Sequence, residues 1–550
     1  MKQIKTLFPY LKNNRNKIYI IILISIFLAF INIFPAKLIE ILIDQGLNNQ
    51  KLNIIFLLSF ILFILYLLKS CFSFILNTSF ITLGQKTVSK FRQDIYSKVV
   101  NFPMEFYTKN DSIYINERIQ EVNNITSFFS PQVIQVLVSF LEFIFAIIIL
   151  SKISLNLLLI LIIPVPLLVF FANKMIFNYS KITKELLEES ANYSSKINET
   201  IKGIEHIKTS ATENKEIKKI TDYDNNLVFK QSMQMINMKK YMEIITFIMS
   251  LIPLIIYVVG GIFLVNNKIS LGGIISFTMY ISKLYSPFLT IISLSFILNP
   301  AFLSLKRLNE LFINKNYVIN DNTSKEKITN IDSIEFDNLD FSYENGKNTL
   351  TNISFSFNKN NVYKICGENG SGKSTLLKLF MNIYTPSKGN IFINNKNINT
   401  FDKIELRKNI SIVAQKVFLF NDTIKNNIIY GLDDYEEKDY LNVIKQLNLD
   451  KFFNTLPLGE NTLVGENGIK LSGGELQKIS IARAFLKKSN VYLFDEANSN
   501  IDYETSLILK NFIKNNKNNN IIIIIEHSDT FDDITDDILN ISKKPIMKKI

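Results

Sequence analysis

The sequence predicts a chain in two parts: six transmembrane α-helices, then an α/β domain in which short strands alternate with helices. Three observations carry this reading. Six long apolar runs crowd the first half; the composition turns polar after Ile297; and the stretch from Lys364 to Leu376, KICGENGSGKSTL, closes a short apolar run on the pattern G-x-x-x-x-G-K-[ST]. The expected organisation is a membrane domain over 1–313, a polar linker over 314–332 and the α/β domain over 333–550.

Length and composition agree with that division. At 550 residues the chain exceeds one ordinary core, and a hydrophobic content of 47% is high for a protein without a membrane portion. The net charge of +12 raises the question of nucleic acid, but the basic residues are spread through loops without an arginine-rich cluster and with few aromatics between them, so no nucleic-acid partner is expected. Cys71 and Cys366 fall in a membrane helix and a strand of the second domain, which reads as two structural thiols rather than a disulfide framework. The abundance of Asn, Ile and Lys suits the base composition of a low-GC bacterium.

The apolar runs are Ile18–Phe34, Ile54–Phe80, Val133–Leu150, Leu155–Phe171, Ile244–Val265 and Ile274–Ile297. Each is close to the ~20 residues that a helix needs to cross the hydrocarbon core, and all are too long for strands. The first is long and lacks a small-residue cleavage site, so it reads as a retained helix and not a signal peptide. Lys2, Lys5, Lys12, Arg15 and Lys17 precede it, Lys86 to Arg118 fill the second connection and a lysine series from Lys174 to Lys240 fills the fourth, whereas the short odd connections carry one lysine each. By the positive-inside rule both termini and the second domain are cytoplasmic, in a multi-pass protein of the cytoplasmic membrane with the lipid bilayer as a partner. The long connections Gly84–Pro131 and Asn173–Glu243 have mixed charge at helical spacing and are expected to continue the helices beyond the membrane.

Three ionisable residues stand inside these runs: Lys69, Glu142 and Lys283. A charge at that depth either faces a cavity or a partner, or sits near a helix end and snorkels. An unpaired Glu142 would cost at least ~2.5 kcal/mol, so Lys69 or Lys283 is its expected partner.

In the second domain each residue of the glycine-rich stretch has a mechanical reason. Gly367, Glu368, Asn369, Gly370, Ser371 and Gly372 form a turn whose N–H groups can converge on phosphate oxygens; the helix from Thr375 offers its positive end; Lys373 can reach the terminal phosphates and Ser374 can ligate Mg²⁺. This makes the domain an α/β P-loop NTPase. Val491-Tyr-Leu-Phe-Asp495-Glu496 is a buried-strand run ending in two carboxylates, suited to an Asp holding Mg²⁺ and a Glu that orients or deprotonates water. Between the two motifs, Leu471-Ser-Gly-Gly-Glu475 opens another helix with an anion-binding start.

In combination these motifs resemble those of ATP-binding cassette (ABC) exporters of the half-transporter kind, over the whole chain. The resemblance implies that Tyr343, in Phe341-Ser-Tyr343, stacks on adenine; that Gln415 senses Mg²⁺ and the γ-phosphate; that Ser472, Gly473 and Gly474 are the signature closing on ATP bound to the opposite subunit; that Val464 to Gly468 is a loop touching the membrane domain; and that Asp502 and His527 are the subunit-contact aspartate and the switch histidine. For His206 no role is implied. Glu475 stands where the family usually has Gln, Ala497 where it has Pro, Asn500 where it has Ala and Glu526 where it has Thr. The chain begins with a basic helix and not a protease domain, so it is not expected to mature its own cargo. Implied further are ATP and Mg²⁺ as cofactors, a second copy of the chain as partner, an alternating-access cycle, and transport of an unidentified peptide, lipid or amphipathic drug. Coupling tips are expected near Phe106–Asp111 and Lys208–Ala211. A soluble cassette ATPase acting on DNA or ribosomes is opposed by the six spans; a membrane cassette protein that gates or senses without pumping is the remaining alternative.

Overall fold

The computed structural model describes residues 6–12, 14–110, 112–313, 326–343, 348–465, 471–526 and 529–541. Two units make up the chain, one of Met1–Phe102 with Asn110–Val318 and the other of Pro103–Lys109 with Ile319–Ile550.

Among the described residues, six helical spans long and apolar enough to cross a membrane lie in the first unit. They comprise α1 (Arg15–Ile41, extended by a π-helical turn to Leu47), α2 (Leu52–Val100), α3 (Pro131–Ile153), α4 (Val165–Lys202) together with the short helix Leu155–Ile162 before it, α5 (Glu213–Val265) and α6 (Leu271–Leu308). Their close neighbours are α4 with α5, α3 with α6, and α1 with α2, α3 and α6. Phe277, Tyr280, Tyr285, Ile252 and Ala146 lie fully inside the unit, while Phe56, Phe60, Phe63 and Phe74 of α2 point outward. Apolar surface on both sides suits a helix whose outer side meets lipid, because the backbone is satisfied within the helix.

The fourth apolar run, expected as one helix, is interrupted. Leu155–Ile162 forms a short helix capped by Ser154, a turn follows at Ile163 and Pro164, and α4 starts at Val165. Pro164 and Pro166 lack the N–H groups that would continue the first helix, and Pro is at home in the opening turn of the second. At its first turn α6 passes close to α1: a side chain at Gly272 would place its Cβ 2.6 Å from the Glu40 carbonyl oxygen. The Asp44 carboxylate accepts from Gly272 N at 2.9 Å and from Ser270 Oγ at 2.5 Å, so a side chain from α1 caps α6.

The long connections are helical. α2 continues to Val100 and is followed by helices Met104–Lys109 and Ser112–Gln120 and a 3₁₀ segment Glu121–Phe129; α4 reaches Lys202 and is followed by Ile204–Thr209 before α5. Phe106 belongs to the second unit and is buried there, and Asp111 lies outside the described residues.

The second unit has two sheets among its described residues. β1 (Ser333–Ser342), β2 (Asn348–Asn358), β4 (Lys388–Ile393) and β5 (Lys396–Asn397) form an antiparallel sheet in the order β2-β1-β4-β5. β3 (Asn361–Gly367), β6 (Ile410–Val413), β7 (Val491–Asp495), β8 (Ile521–Ile525) and β9 (Asp537–Ile541) form a parallel sheet in the order β6-β7-β8-β3-β9. β7 and β8 are buried along their whole length, as parallel strands covered on both faces must be. Successive side chains alternate between two cores: Ile521, Ile523, Ile525 and Leu493 join Leu376 and Phe380, while Ile522, Ile524, Tyr492 and Phe494 join Ile479 and Ala482. Helix α7 (Lys373–Phe380) therefore packs on one face, α8 (Gly473–Leu486) on the other, and the C-terminal ends of β3 and β7 open side by side with β8 between them. Helix α9 (Tyr503–Asn516) also packs in the second core.

Candidate functional site

The loop from Gly367 to Gly372 joins β3 to α7. Gly372 has φ +102°, and a Cβ there would lie 2.7 Å from Leu350 Cδ2, so this turn requires glycine on both counts. Ser371, within the loop, is buried and its Oγ has no partner among the described residues. Lys373 is buried and its ammonium donates to the carbonyl oxygens of Gly367 at 2.7 Å and Glu368 at 3.1 Å. Its charge is thus held over the loop by backbone acceptors that a phosphate can replace.

Asp495 and Glu496 follow at the end of β7. Asp495 is buried; burial raises its carboxyl pKa, the neighbouring Glu496 charge adds to this, and a Ser374 hydroxyl hydrogen bond and the Lys373 charge oppose it. Glu496 has φ +49°, a backbone conformation uncommon outside glycine, and its N–H donates to Ile525 O at 2.8 Å. The turn aims its side chain back across the loop, where Gln415 Nε2 donates to Glu496 Oε2 at 2.7 Å. A cleft of about 470 Å³ runs between Asn369–Thr375 on one side and Gln415 and Glu496 on the other, with Thr349 of β2 in its wall.

The donor set fits a hard divalent cation. Ser374, in the cleft wall, hydrogen-bonds the buried Asp495, which brings a hydroxyl and a carboxylate together. Among the described residues no group of three or more His, Cys, Asp or Glu could hold a metal alone. That is the donor set expected for Mg²⁺ bound by few protein oxygens and completed by substrate phosphates.

Tyr343 sits beside the loop: its hydroxyl is 3.1 Å from Thr375 Oγ1, and its ring lies edge-on to Phe341 and Tyr384. The other candidates are elsewhere. Ser472, Gly473 and Gly474 begin α8 and do not line the cleft; Asn500 packs against them, its carbonyl oxygen 3.0 Å from where a Gly474 Cβ would be. Ser472 Oγ accepts from Glu475 N at 3.3 Å while Ser472 N donates to Glu475 Oε2 at 2.7 Å, a complete capping box. The Glu at 475 thus fixes the first turn of α8. Asp502 caps α9 through Thr505 N at 2.8 Å and pairs with Lys478 of α8 at 2.9 Å; its Thr505 and Lys478 hydrogen bonds hold its pKa down to about 2. His527 and residues 466–470, which include Gly468, lie outside the described residues.

Three participants were not legible as such. Thr349 carries no motif; Asn500 was noted only as a departure, and its φ of +62° shapes the turn that seats the signature. Lys364 opens the loop motif yet is buried under it, paired with Asp532 and lying 3.9 Å from the buried Glu526. Burial by itself would lower the Lys364 pKa, but the Asp532 hydrogen bond and charge outweigh it and the net shift is upward. Glu526, where the resemblance leads one to expect Thr, is matched to that lysine and also accepts from Phe531 N at 3.3 Å.

A P-loop cleft with a carboxylate pair at the end of a central parallel strand, following six membrane-spanning helices in one chain, defines a membrane-coupled nucleotide hydrolase. The ABC transporter family model matches residues 350–499, and the model for the ABC transporter transmembrane region matches residues 18–288. The chain is 30% identical to a Rickettsia prowazekii (strain Madrid E) protein named for export ATP-binding/permease function, over 99% of this chain and 95% of the relative. It is 31% identical to the multidrug resistance-like ATP-binding protein MdlA of Buchnera aphidicola subsp. Baizongia pistaciae, over 96% and 91%. A bacterial Atm1-family ABC exporter with ATP bound has the same fold, with a TM-score of 0.82 over 96% of this chain and 93% of that one at 20% identity. The chain belongs to the ABC transporters, with the transmembrane region and the ATPase fused; it binds ATP and couples its hydrolysis to transport.

Proposed function

We propose that the protein is an exporter in which two copies of the chain close around two ATP molecules and move cargo out of the cytoplasm by alternating access. The observation that carries this reading is the single cleft in which Lys373, Ser374, Gln415 and Glu496 converge, with Gln415 and Glu496 joined at 2.7 Å. Loop N–H groups and the start of α7 receive the phosphates, and Lys373 exchanges the carbonyls of Gly367 and Glu368 for the terminal phosphate oxygens. Glu496 orients the attacking water and takes its proton, its carboxylate steadied by Gln415. Ser374, Asp495 and Gln415 would hold Mg²⁺, which when bound neutralises charge on the β- and γ-phosphate oxygens.

Tyr343 is assigned to adenine, and His527 as the switch histidine, from the resemblance of their motifs. Ser472, Gly473 and Gly474 are assigned to the ATP of the other copy: they lie away from this chain's own cleft, Ser472 and Gly473 are exposed, and the capping box engages the N–H groups of Ser472 and Glu475, not those of Gly473 and Gly474. Asp502, fixed by Thr505 and Lys478, is assigned to the subunit contact. The distribution of Lys and Arg among the connections supports cytoplasmic termini and a cytoplasmic ATPase.

Pumping is favoured over gating by relatives named for multidrug resistance and, in Lactococcus lactis, for lactococcin-G processing and transport, the latter 27% identical over 92% of this chain and 72% of the relative. Inside-out vesicles test it. ATP-dependent accumulation of a compound that stimulates the ATPase, absent with Glu496→Gln, is the expected result; ATPase stimulation without accumulation of any such compound would overturn export.

A further inference from the structure

Within the membrane helices, the first unit holds a polar cluster that ATP hydrolysis does not use. Glu142 of α3 is 2% exposed and accepts from Asn32 Nδ2 of α1 at 2.6 Å and from Lys283 Nζ of α6 at 2.9 Å. Measured along their helices at ~1.5 Å per residue, Asn32, Lys69, Glu142 and Lys283 lie about 17 to 26 Å from the ends joined by the short connections. In a hydrocarbon core of about 30 Å, that is the interior. Beside the cluster is a cavity of about 330 Å³ lined by Asn32, Tyr66, Lys69, Thr278, Ser282 and Lys283, among others.

Two needs are left open at this cavity. Lys69 has no hydrogen-bond or ion-pair partner among the described residues. The Asn32 amide is oriented by chemistry, since its NH₂ must face the Glu142 carboxylate; its Oδ1 is therefore an acceptor, buried and without a donor. The cluster contains two ammonium groups and one carboxylate, an excess of one positive charge within the apolar runs. Glu40, two turns along α1, is already paired with Lys37 at 2.5 Å.

We propose that this cavity binds the head of an amphipathic α-amido carboxylate, a carboxylate with an N–H beside it, as found in N-acyl amino acids and at the C-terminus of an apolar peptide. The carboxylate meets Lys69, and the N–H reaches the buried Asn32 Oδ1 when the side chains covering it shift on binding, while the acyl chain or the rest of the peptide extends along the apolar helices. A cavity of this volume takes a headgroup and leaves the tail outside it. Glu142 sets the strength: it occupies Lys283, so that one ammonium and not two is offered to the ligand. The site deepens the exporter reading by giving the cargo a chemical class, and it rests on that reading only for the transport that follows binding.

Calorimetry on the full-length protein in nanodiscs tests the site, with N-lauroylglycine as the probe, below its micelle concentration. Its methyl ester removes the charge, N-lauroylsarcosine removes the N–H, and an N-lauroyl Ala-Leu dipeptide separates the peptide source from the acyl amino acid source. N-lauroylglycine is expected to bind at least about tenfold tighter than its methyl ester and severalfold tighter than N-lauroylsarcosine. Lys69→Gln is expected to abolish the preference for the acid, Lys69→Arg to keep it, and Glu142→Gln to strengthen acid binding by freeing Lys283. Equal affinity for acid and ester in the wild type, or an acid preference that survives Lys69→Gln, overturns the proposal, as does weaker acid binding by Glu142→Gln. The Lys69→Arg protein keeps the test valid if Lys69→Gln fails to fold. Acid-selective binding without ATP-dependent accumulation overturns the exporter reading alone; accumulation without acid selectivity overturns the site alone.

Discussion

Glu496→Gln separates chemistry from binding. Glutamine has nearly the volume of glutamate, and its Oε1 can accept from Gln415 Nε2 as the carboxylate does, so the 2.7 Å contact and the cleft wall survive. The backbone need not change either: φ +49° and the bond from its N–H to Ile525 O are independent of the side-chain charge. What disappears is the group proposed to take the proton. Loss of a general base costs ~10²- to 10⁴-fold in rate, about 2.7–5.5 kcal/mol on the barrier. Lys373, Ser374 and the loop remain, so ATP affinity is expected to stay close to that of the wild type. Steady-state phosphate release from the protein in nanodiscs, together with displacement of a fluorescent ATP analogue, measures both quantities. Turnover within about tenfold of wild type, or loss of ATP binding along with turnover, would refute the role assigned to Glu496.

Three other outcomes follow from the same geometry. A mixed dimer of Lys373→Ala and Gly474→Asp chains puts both lesions in one composite site and none in the other, so ATPase activity should return over either mutant alone; wild-type protein that hydrolyses ATP only after a different cassette chain is added would overturn the homodimer. Lys364→Met removes the cation facing the buried Glu526, and about 3–5 kcal/mol of stability should go with it, read as an earlier unfolding transition of the ATPase unit in a denaturant titration. Asp502 has a folded-state pKa of about 2, below the ~3.9 of an unfolded aspartate, so its cap and ion pair contribute stability in full above about pH 4 and lose it as pH falls toward 2. Asp502→Asn should therefore flatten the acid limb of the melting temperature between those values, and an unchanged slope would count against the assignment.

Much of the site was legible in the sequence because its chemistry is local. The loop from Gly367 to Ser374 is continuous, and strand, turn and helix follow from neighbours along the chain: an apolar run, glycines, then good helix formers. The pair Asp495 and Glu496 was legible for the same reason, as the end of a fully buried strand. Glu475 and Glu526 were visible only as departures from a resembling pattern. What each does depended on a partner: a partner three residues away for Glu475, which completes a helix cap, and a lysine on another strand for Glu526. The interruption at Pro164 was missed because hydrophobicity registers an unbroken run where the backbone lacks a donor.

The sequence by itself determined the six spans, the glycine-rich loop and the carboxylate pair that ends a buried strand, since length, periodicity and residue order along a single segment suffice to specify an apolar helix or a strand-turn-helix. Only the tertiary structure decided which of the intramembrane charges meet. Glu142, Lys283 and Asn32 are separated by more than a hundred residues from one another and come together because α3, α6 and α1 pack side by side, while Lys69 on α2 is left facing a cavity. A side-chain bond between distant segments depends on the rotation of each helix about its own axis, and that rotation is set by how the apolar faces interlock, a property of all the helices at once.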